Sequence, residues 1–126
     1  MTVQTLFTPH ASQASGPYSH GRRGGDIIFT SGQIALHPET NELLTGVRES
    51  TRLVLDNLLA IVEAGGGSKE TVAKVDIFVR SLDDYDEINK EYAAFFGDVR
   101  PARVLVQAVL APGAVLEASM VAFAKD

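Results

Sequence analysis

The pattern of apolar residues predicts two amphipathic helices. From about Val47 to Ala64, apolar residues recur every three, four or seven positions, and charged residues lie off that stripe. The three glycines at 65–67 are typical of a helix end. A second stripe runs from Leu82 to Phe96, with a sequence resembling a capping box at 81–84 and Gly97 at its end.

Alternation of apolar and polar residues predicts strands elsewhere in the chain. We predict four strands, at Asp26–Thr30, Thr71–Arg80, Ala102–Leu110 and about Val115–Ala124, and Thr71–Arg80 shows the alternation most clearly. The stretch up to about Ser19 is polar and rich in turn-forming residues, so we expect no regular element there. The order of elements predicts an α+β domain with both helices on one face of a mixed sheet.

The strand that begins at Ala102 predicts self-association. Leu105 and Val109 alternate with Val104 and Val106, so this strand is apolar on both faces. Two helices can cover one face of the sheet, and the chain offers no further helix for the other. A second copy of the chain is the simplest way to bury that face, and we therefore predict a homo-oligomer.

Length, cysteine count and net charge exclude several classes of function. A length of 126 residues fits one domain over 1–126, and zero cysteines exclude a thiolate nucleophile and cysteine-bound metals. The net charge of -5 argues against nucleic acid as a partner. No apolar run reaches the length of a membrane span, and no export leader is visible. We expect a cytoplasmic protein with no membrane partner.

Arg103 is the leading candidate for chemistry. It opens an otherwise apolar strand in the segment Arg100–Val106, and a buried guanidinium needs a negative partner. That partner is either a carboxylate of the chain, such as Glu117 on a neighbouring strand, or the carboxylate of a small ligand. The sequence alone leaves both alternatives open.

Four further residues are weaker candidates. Tyr18 follows a Gly-Pro bend, Ser31 and Gly32 stand where a strand breaks, and Asn89 interrupts the apolar stripe of the second helix. Each has an ordinary structural explanation in surface packing, a turn or a polar contact.

The remaining polar residues point to no bound group. Ser119 shares a face with Glu117, but no histidine offers it a triad context. The three histidines lack metal-ligand spacing, and no phosphate or dinucleotide loop is present. We expect no metal and no cofactor.

Four sequence blocks together resemble the RidA (YjgF) family. They are Gly-Pro-Tyr-Ser-His at 16–20, Phe-Thr-Ser-Gly-Gln-Ile at 29–34, Asn-Lys-Glu-Tyr-Ala-Ala-Phe-Phe at 89–96 and Pro-Ala-Arg at 101–103. They occur in the family's order and spacing and cover nearly the whole chain. The resemblance implies a chorismate-mutase-like fold and a homotrimer with a central β-barrel, in which clefts between subunits bind small carboxylates. It also implies hydrolysis of reactive 2-imino acids, or their enamine tautomers, to 2-keto acids and ammonia.

The resemblance also assigns site residues. Arg103 matches the arginine that holds the substrate carboxylate and serves catalysis, and Tyr18, Ser31, Gly32 and Asn89 match the substrate-binding wall.

Active family members carry a last-strand glutamate that orients water, and this chain departs from them there. The ungapped match places Ser119 at that position, with Glu117 at an acidic position two residues earlier, and a one-residue shift would place Val121 there instead. Because serine is a weak base, reduced or altered turnover is expected. The alternatives are a non-catalytic keto-acid-binding or regulatory protein and, disfavoured by the acidic charge, RNA cleavage.

Overall fold

The computed structural model describes residues 2–125. These residues form six strands and two α-helices, with one-turn 3-10 segments at Lys69–Thr71 and Leu82–Asp84. In chain order they are β1 (Val3–Leu6), β2 (Gly21–Gly24), β3 (Ile27–Thr30), α1 (Val47–Ala64), β4 (Val72–Val79), α2 (Tyr85–Phe96), β5 (Ala102–Gln107) and β6 (Leu116–Phe123). The sheet order is β1-β2-β3-β6-β4-β5, and only the β4–β5 pair is parallel among these strands. The predicted mixed α+β fold is confirmed.

Both helices end where the glycines predict. The apolar stripe of α1 is fully buried at Val54, Leu58 and Ile61, and the amide of Gly67 closes the helix by donating to the carbonyl of Val62. The second helix begins later than the pattern suggests. Ser81 caps the 3-10 turn by accepting from the amide of Asp83, and α2 follows from Tyr85.

Two sequence expectations about strands are wrong. The N-terminal stretch is not entirely irregular, because β1 forms an antiparallel pair with β2. Each of these strands has only four residues, and β1 is exposed at three of them, so neither carries the apolar alternation that marks a longer strand. The strand that begins at Ala102 ends at Gln107 rather than Leu110.

The helices cover one face of the sheet and leave the other open. The buried residues of β4 and β6 lie beneath α1 and α2. On the opposite face, which we call the outer face, large apolar side chains remain between 38% and 51% exposed, among them Ile27, Phe29, Val104, Val106 and Phe123. The expected uncovered apolar face is therefore present, and its cover by other copies of the chain stays a prediction.

His20 fixes the N-terminal segment rather than facing a ligand. The residue is 4% exposed, its Nδ1 accepts from the amide of Thr8 at 3.0 Å, and its Nε2 donates to the carbonyl of Ser12 at 2.6 Å. His20→Ala is expected to lower the free energy of unfolding by about 2–4 kcal/mol, because it leaves two buried backbone groups unpaired. Denaturant unfolding would measure this loss. The exposed His10→Ala is the control, and an equally small effect of both changes would contradict the role of His20.

Candidate functional site

Arg103 lies on the edge strand β5 and is held by α2. It pairs with the core residue Val75, so its side chain is on the helix-covered face. Nη1 of Arg103 donates to Oδ1 of Asn89 at 2.7 Å, and Nη2 donates to the hydroxyl of Tyr85 at 3.3 Å. The guanidinium carbon stands 4.9 Å from the ring centroid of Tyr92. Because these three partners are four and then three residues apart, one face of α2 orients the guanidinium.

The proposed ion pair with Glu117 is wrong within one chain. Strand β4 lies between β5 and β6, with Val75 opposite Arg103 and Phe78 opposite Glu117. Three residues of strand separate those positions by about 10 Å, and the two side chains leave opposite faces of the sheet. No carboxylate oxygen of residues 2–125 lies within 4.0 Å of the Arg103 guanidinium.

A cavity of about 290 Å³ opens beside this arginine. Its wall includes three aromatic residues, two arginines and one amide: Tyr85, Tyr92, Phe96, Arg100, Arg103 and Asn89. No acidic residue lines it. The volume suits a small molecule, and the paired arginines favour a negatively charged one. We call this space the arginine cavity.

Tyr92 adds a neutral donor to the arginine cavity. Burial raises the pKa of its phenol, and the positive charge of Arg103 opposes part of that rise, so the hydroxyl stays protonated near neutral pH. The hydroxyl is buried and has no hydrogen-bond partner among the described residues. A buried hydroxyl normally finds an acceptor, and a ligand carboxylate or a group from another subunit would supply one.

Tyr18 and Gly32 meet Glu117 at a second cavity of about 220 Å³. The carboxylate of Glu117 packs so closely over Gly32 that a Cβ at position 32 would collide with it. Because Gly32 has no side chain, the carboxylate of Glu117 from the same chain can occupy the space above it. The Tyr18 ring, 48% exposed, lines the same cavity. We call this space the glutamate cavity.

Ser31 and Ser119 lie outside the glutamate cavity. The hydroxyl of Ser31 donates to the carbonyl of Ser19 at 2.6 Å, and Ser31 joins Tyr18 in lining a wider, open depression of about 650 Å³. Ser119 lies on the outer face opposite Asp76 and lines none of these three spaces. Sequence matching placed Ser119 where the family's glutamate is expected, whereas the residue beside Tyr18 and Gly32 is Glu117.

The expected site residues therefore form two separate groups in one chain. Arg103 and Asn89 belong to the arginine cavity, and Tyr18, Gly32 and Glu117 belong to the glutamate cavity. The two cavities share no lining residue. Sequence reasoning missed Tyr85 and Tyr92, because both residues fit the apolar stripe of α2, a pattern typical of core positions.

Within residues 2–125 the protein offers neither a metal-binding cluster nor a membrane-spanning helix. No group of three or more histidine, aspartate or glutamate side chains within 2–125 is placed to hold a metal ion. Neither helix in that range is both long and apolar enough to span a membrane.

The fold and the arginine cavity define a class: α+β proteins with a mixed six-stranded sheet and a cationic cavity sized for a small anion. The family model described as Endoribonuclease L-PSP matches residues 8–124. A RutC family protein of Pyrococcus abyssi is 38% identical over 117 residues, covering 92% of each chain. The 2-iminobutanoate/2-iminopropanoate deaminase of Escherichia coli K12 is 39% identical over 112 residues, covering 86% of this chain and 88% of the deaminase.

A solved structure agrees with these sequence matches. The crystal structure of the YjgF gene product from Escherichia coli superposes with a TM-score of 0.92 at 36% identity, covering 97% of this chain and 99% of that one. The chain belongs to the RidA (YjgF) family. The resemblance seen in the four sequence blocks is thereby confirmed.

Proposed function

We propose that the protein hydrolyses reactive 2-imino acids to 2-keto acids and ammonia. One observation carries the proposal: the Arg103 guanidinium is oriented by Asn89 and Tyr85, borders a cavity, and has no carboxylate partner within residues 2–125. A planar fork held in this way suits the carboxylate of a small acid. The identity to a named 2-iminobutanoate/2-iminopropanoate deaminase supports the imine as the reacting group.

The complete site is proposed to form between subunits of a cytoplasmic homotrimer. Arg103 and Glu117 lie on opposite faces of one sheet, so a single chain does not present both to one small molecule. A second subunit seated against the exposed outer face and the free edge of β5 would bring its glutamate cavity to the arginine cavity of the first. This arrangement supports a role for both groups of residues in one cleft.

In this cleft Glu117, rather than Ser119, handles the water. With the substrate carboxylate bound to Arg103, Glu117 accepts a proton as water adds its oxygen to the imine carbon. The imine nitrogen gains the proton, which gives a tetrahedral amino alcohol. The hydroxyl proton of that intermediate then passes to the amine nitrogen, and ammonia leaves as the C–N bond breaks and the keto group forms. The glutamate that sequence matching found missing is thus supplied by Glu117, and full turnover becomes the expected behaviour.

A coupled assay tests this function. A pyridoxal-phosphate dehydratase would release 2-iminobutanoate in the presence and absence of the protein, and the appearance of 2-oxobutanoate would be followed. We expect faster release with wild type and the uncatalysed rate with Glu117→Gln. Binding of 2-oxobutanoate without any acceleration would select the non-catalytic keto-acid-binding alternative. If the protein neither binds 2-oxobutanoate nor accelerates its release, both proposed functions are ruled out.

The oligomer is tested separately at the outer face. Val106→Glu is expected to convert a trimer into monomers, because it places a charge on the apolar outer face. Val106 lies there opposite Phe78, which in turn lies opposite Glu117. Light scattering coupled to gel filtration would give the mass. Ala94→Glu, on the exposed side of α2, is the matched control and is expected to stay trimeric. A wild-type mass of one 13.5 kDa chain would contradict the proposed assembly.

A further inference from the structure

The arginine cavity contains a second cation that the proposed chemistry does not use. Arg100 lines the same 290 Å³ space as Arg103, and its side chain is exposed there. No carboxylate oxygen of residues 2–125 lies within 4.0 Å of its guanidinium. A monocarboxylic imino acid needs only one of these two arginines.

The backbone at Arg100 is strained. Its φ is 47°, in the left-handed region, and it precedes Pro101, which further restricts the preceding residue. Glycine would adopt this conformation at little cost. Strain of this kind persists where the surrounding structure imposes it, and it is concentrated at functional sites. Arg100 keeps this strained backbone and lines a cavity of ligand size. We take this as an indication that its side chain binds a ligand in the cavity.

Charge within the cavity supports the same use. Its wall carries Arg100 and Arg103 and no acidic side chain. Asn89 and Tyr85 hold the guanidinium of Arg103 beside the cavity, and Arg100 precedes Arg103 by three residues, just before β5 begins. Two cations without an acidic neighbour in one small space favour a ligand with two negative groups.

We propose that Arg100 is a specificity-determining residue that gives this site a preference for 2-imino and 2-keto acids with a second carboxylate. The inference rests on the proposed function and names its substrate class. Arg103 holds the carboxylate next to the imine, and Arg100 binds the carboxylate at the end of the side chain. Hydrolysis then converts a 2-imino dicarboxylate and water to the 2-keto dicarboxylate and ammonia, with no change in oxidation state.

Binding of two keto acids tests the preference directly. Calorimetric titration at low salt would compare 2-oxopentanedioate with 2-oxobutanoate on wild type, Arg100→Gln and Lys90→Gln. Wild type is expected to bind the dicarboxylate about tenfold more tightly, the worth of one charge-assisted hydrogen bond. Arg100→Gln is expected to lose this preference, because its affinity for the dicarboxylate falls about tenfold more than its affinity for 2-oxobutanoate. Lys90→Gln removes a charge that lines a different depression and is expected to retain the preference.

The outcomes separate this inference from the proposed function. Equal affinity of wild type for both acids, or an equal loss of both in Arg100→Gln, would overturn the dicarboxylate preference alone. Failure of wild type to bind either acid would overturn the carboxylate site and the preference together.

Thermal unfolding of Arg100→Gly provides a second readout. Relief of the left-handed backbone is expected to raise Tm by about 2–4 °C while the dicarboxylate preference is lost. A fall in Tm with the preference intact would show that the arginine serves stability, and would overturn the inference.

Discussion

Arg103→Lys is expected to lower kcat/KM for 2-imino acids about 100-fold. The lysine keeps the positive charge but not the planar fork, and it cannot engage Asn89, Tyr85 and a carboxylate at once. The loss corresponds to about 2.7 kcal/mol of transition-state stabilisation. Steady-state measurement of keto-acid release over a range of imine supply would give the value.

The control for this change is Arg80→Lys. Arg80 follows β4 and pairs with Asp84 at 3.3 Å, away from both cavities, so the same chemical change there should leave kcat/KM within about twofold. If the Arg103→Lys variant keeps the kcat/KM of wild type, Arg103 has no role in the mechanism.

Mixing two strongly impaired variants is expected to restore activity. If each cleft takes Arg103 from one subunit and Glu117 from the next, trimers assembled from Arg103→Lys and Glu117→Gln chains contain some clefts with both native residues. Random assembly makes about a quarter of the clefts intact. Co-expression of the two variants, followed by the keto-acid release assay, would measure the recovered fraction.

The same experiment discriminates against a site within one subunit. In that case every cleft lacks either Arg103 or Glu117, and mixing recovers nothing. Trimers of each single variant, prepared and assayed alone, provide the baseline. Activity of the mixed sample at that baseline would place both residues in a single chain and would contradict the proposed assembly.

The helices could be predicted from the sequence because a periodic stripe determines which side of a helix is buried. Val54, Leu58 and Ile61 repeat at helical spacing, and all three are fully buried. The order of strands in the sheet was harder to predict from the sequence, because it depends on pairing between distant segments. An ion pair from Arg103 to Glu117 is reasonable if β5 and β6 are neighbours, and it fails because β4 lies between them.

The choice between Glu117 and Ser119 shows a related limit. Alternation along β6 places both residues on one face, so periodicity does not distinguish them. The distinction comes from Gly32, whose missing Cβ lets the Glu117 carboxylate approach the end of β3 beside Tyr18. That contact joins segments 85 residues apart in the chain, and an ungapped match cannot detect it. The packing of Glu117 against Gly32 favours Glu117 over Ser119 as the water-handling residue we propose, and the family blocks alone do not make this distinction.

The position of β5 at the margin of the sheet has a consequence for newly synthesised chains. One side of this strand is hydrogen-bonded to β4, while the other side pairs with no strand of residues 2–125 and lies beside the exposed Val104 and Val106. Such a margin is a template for any extended segment it encounters, including misfolded copies. Prompt capture by correct partners would protect the chain from aggregation, so dilution, which slows that encounter, would prolong its most vulnerable stage.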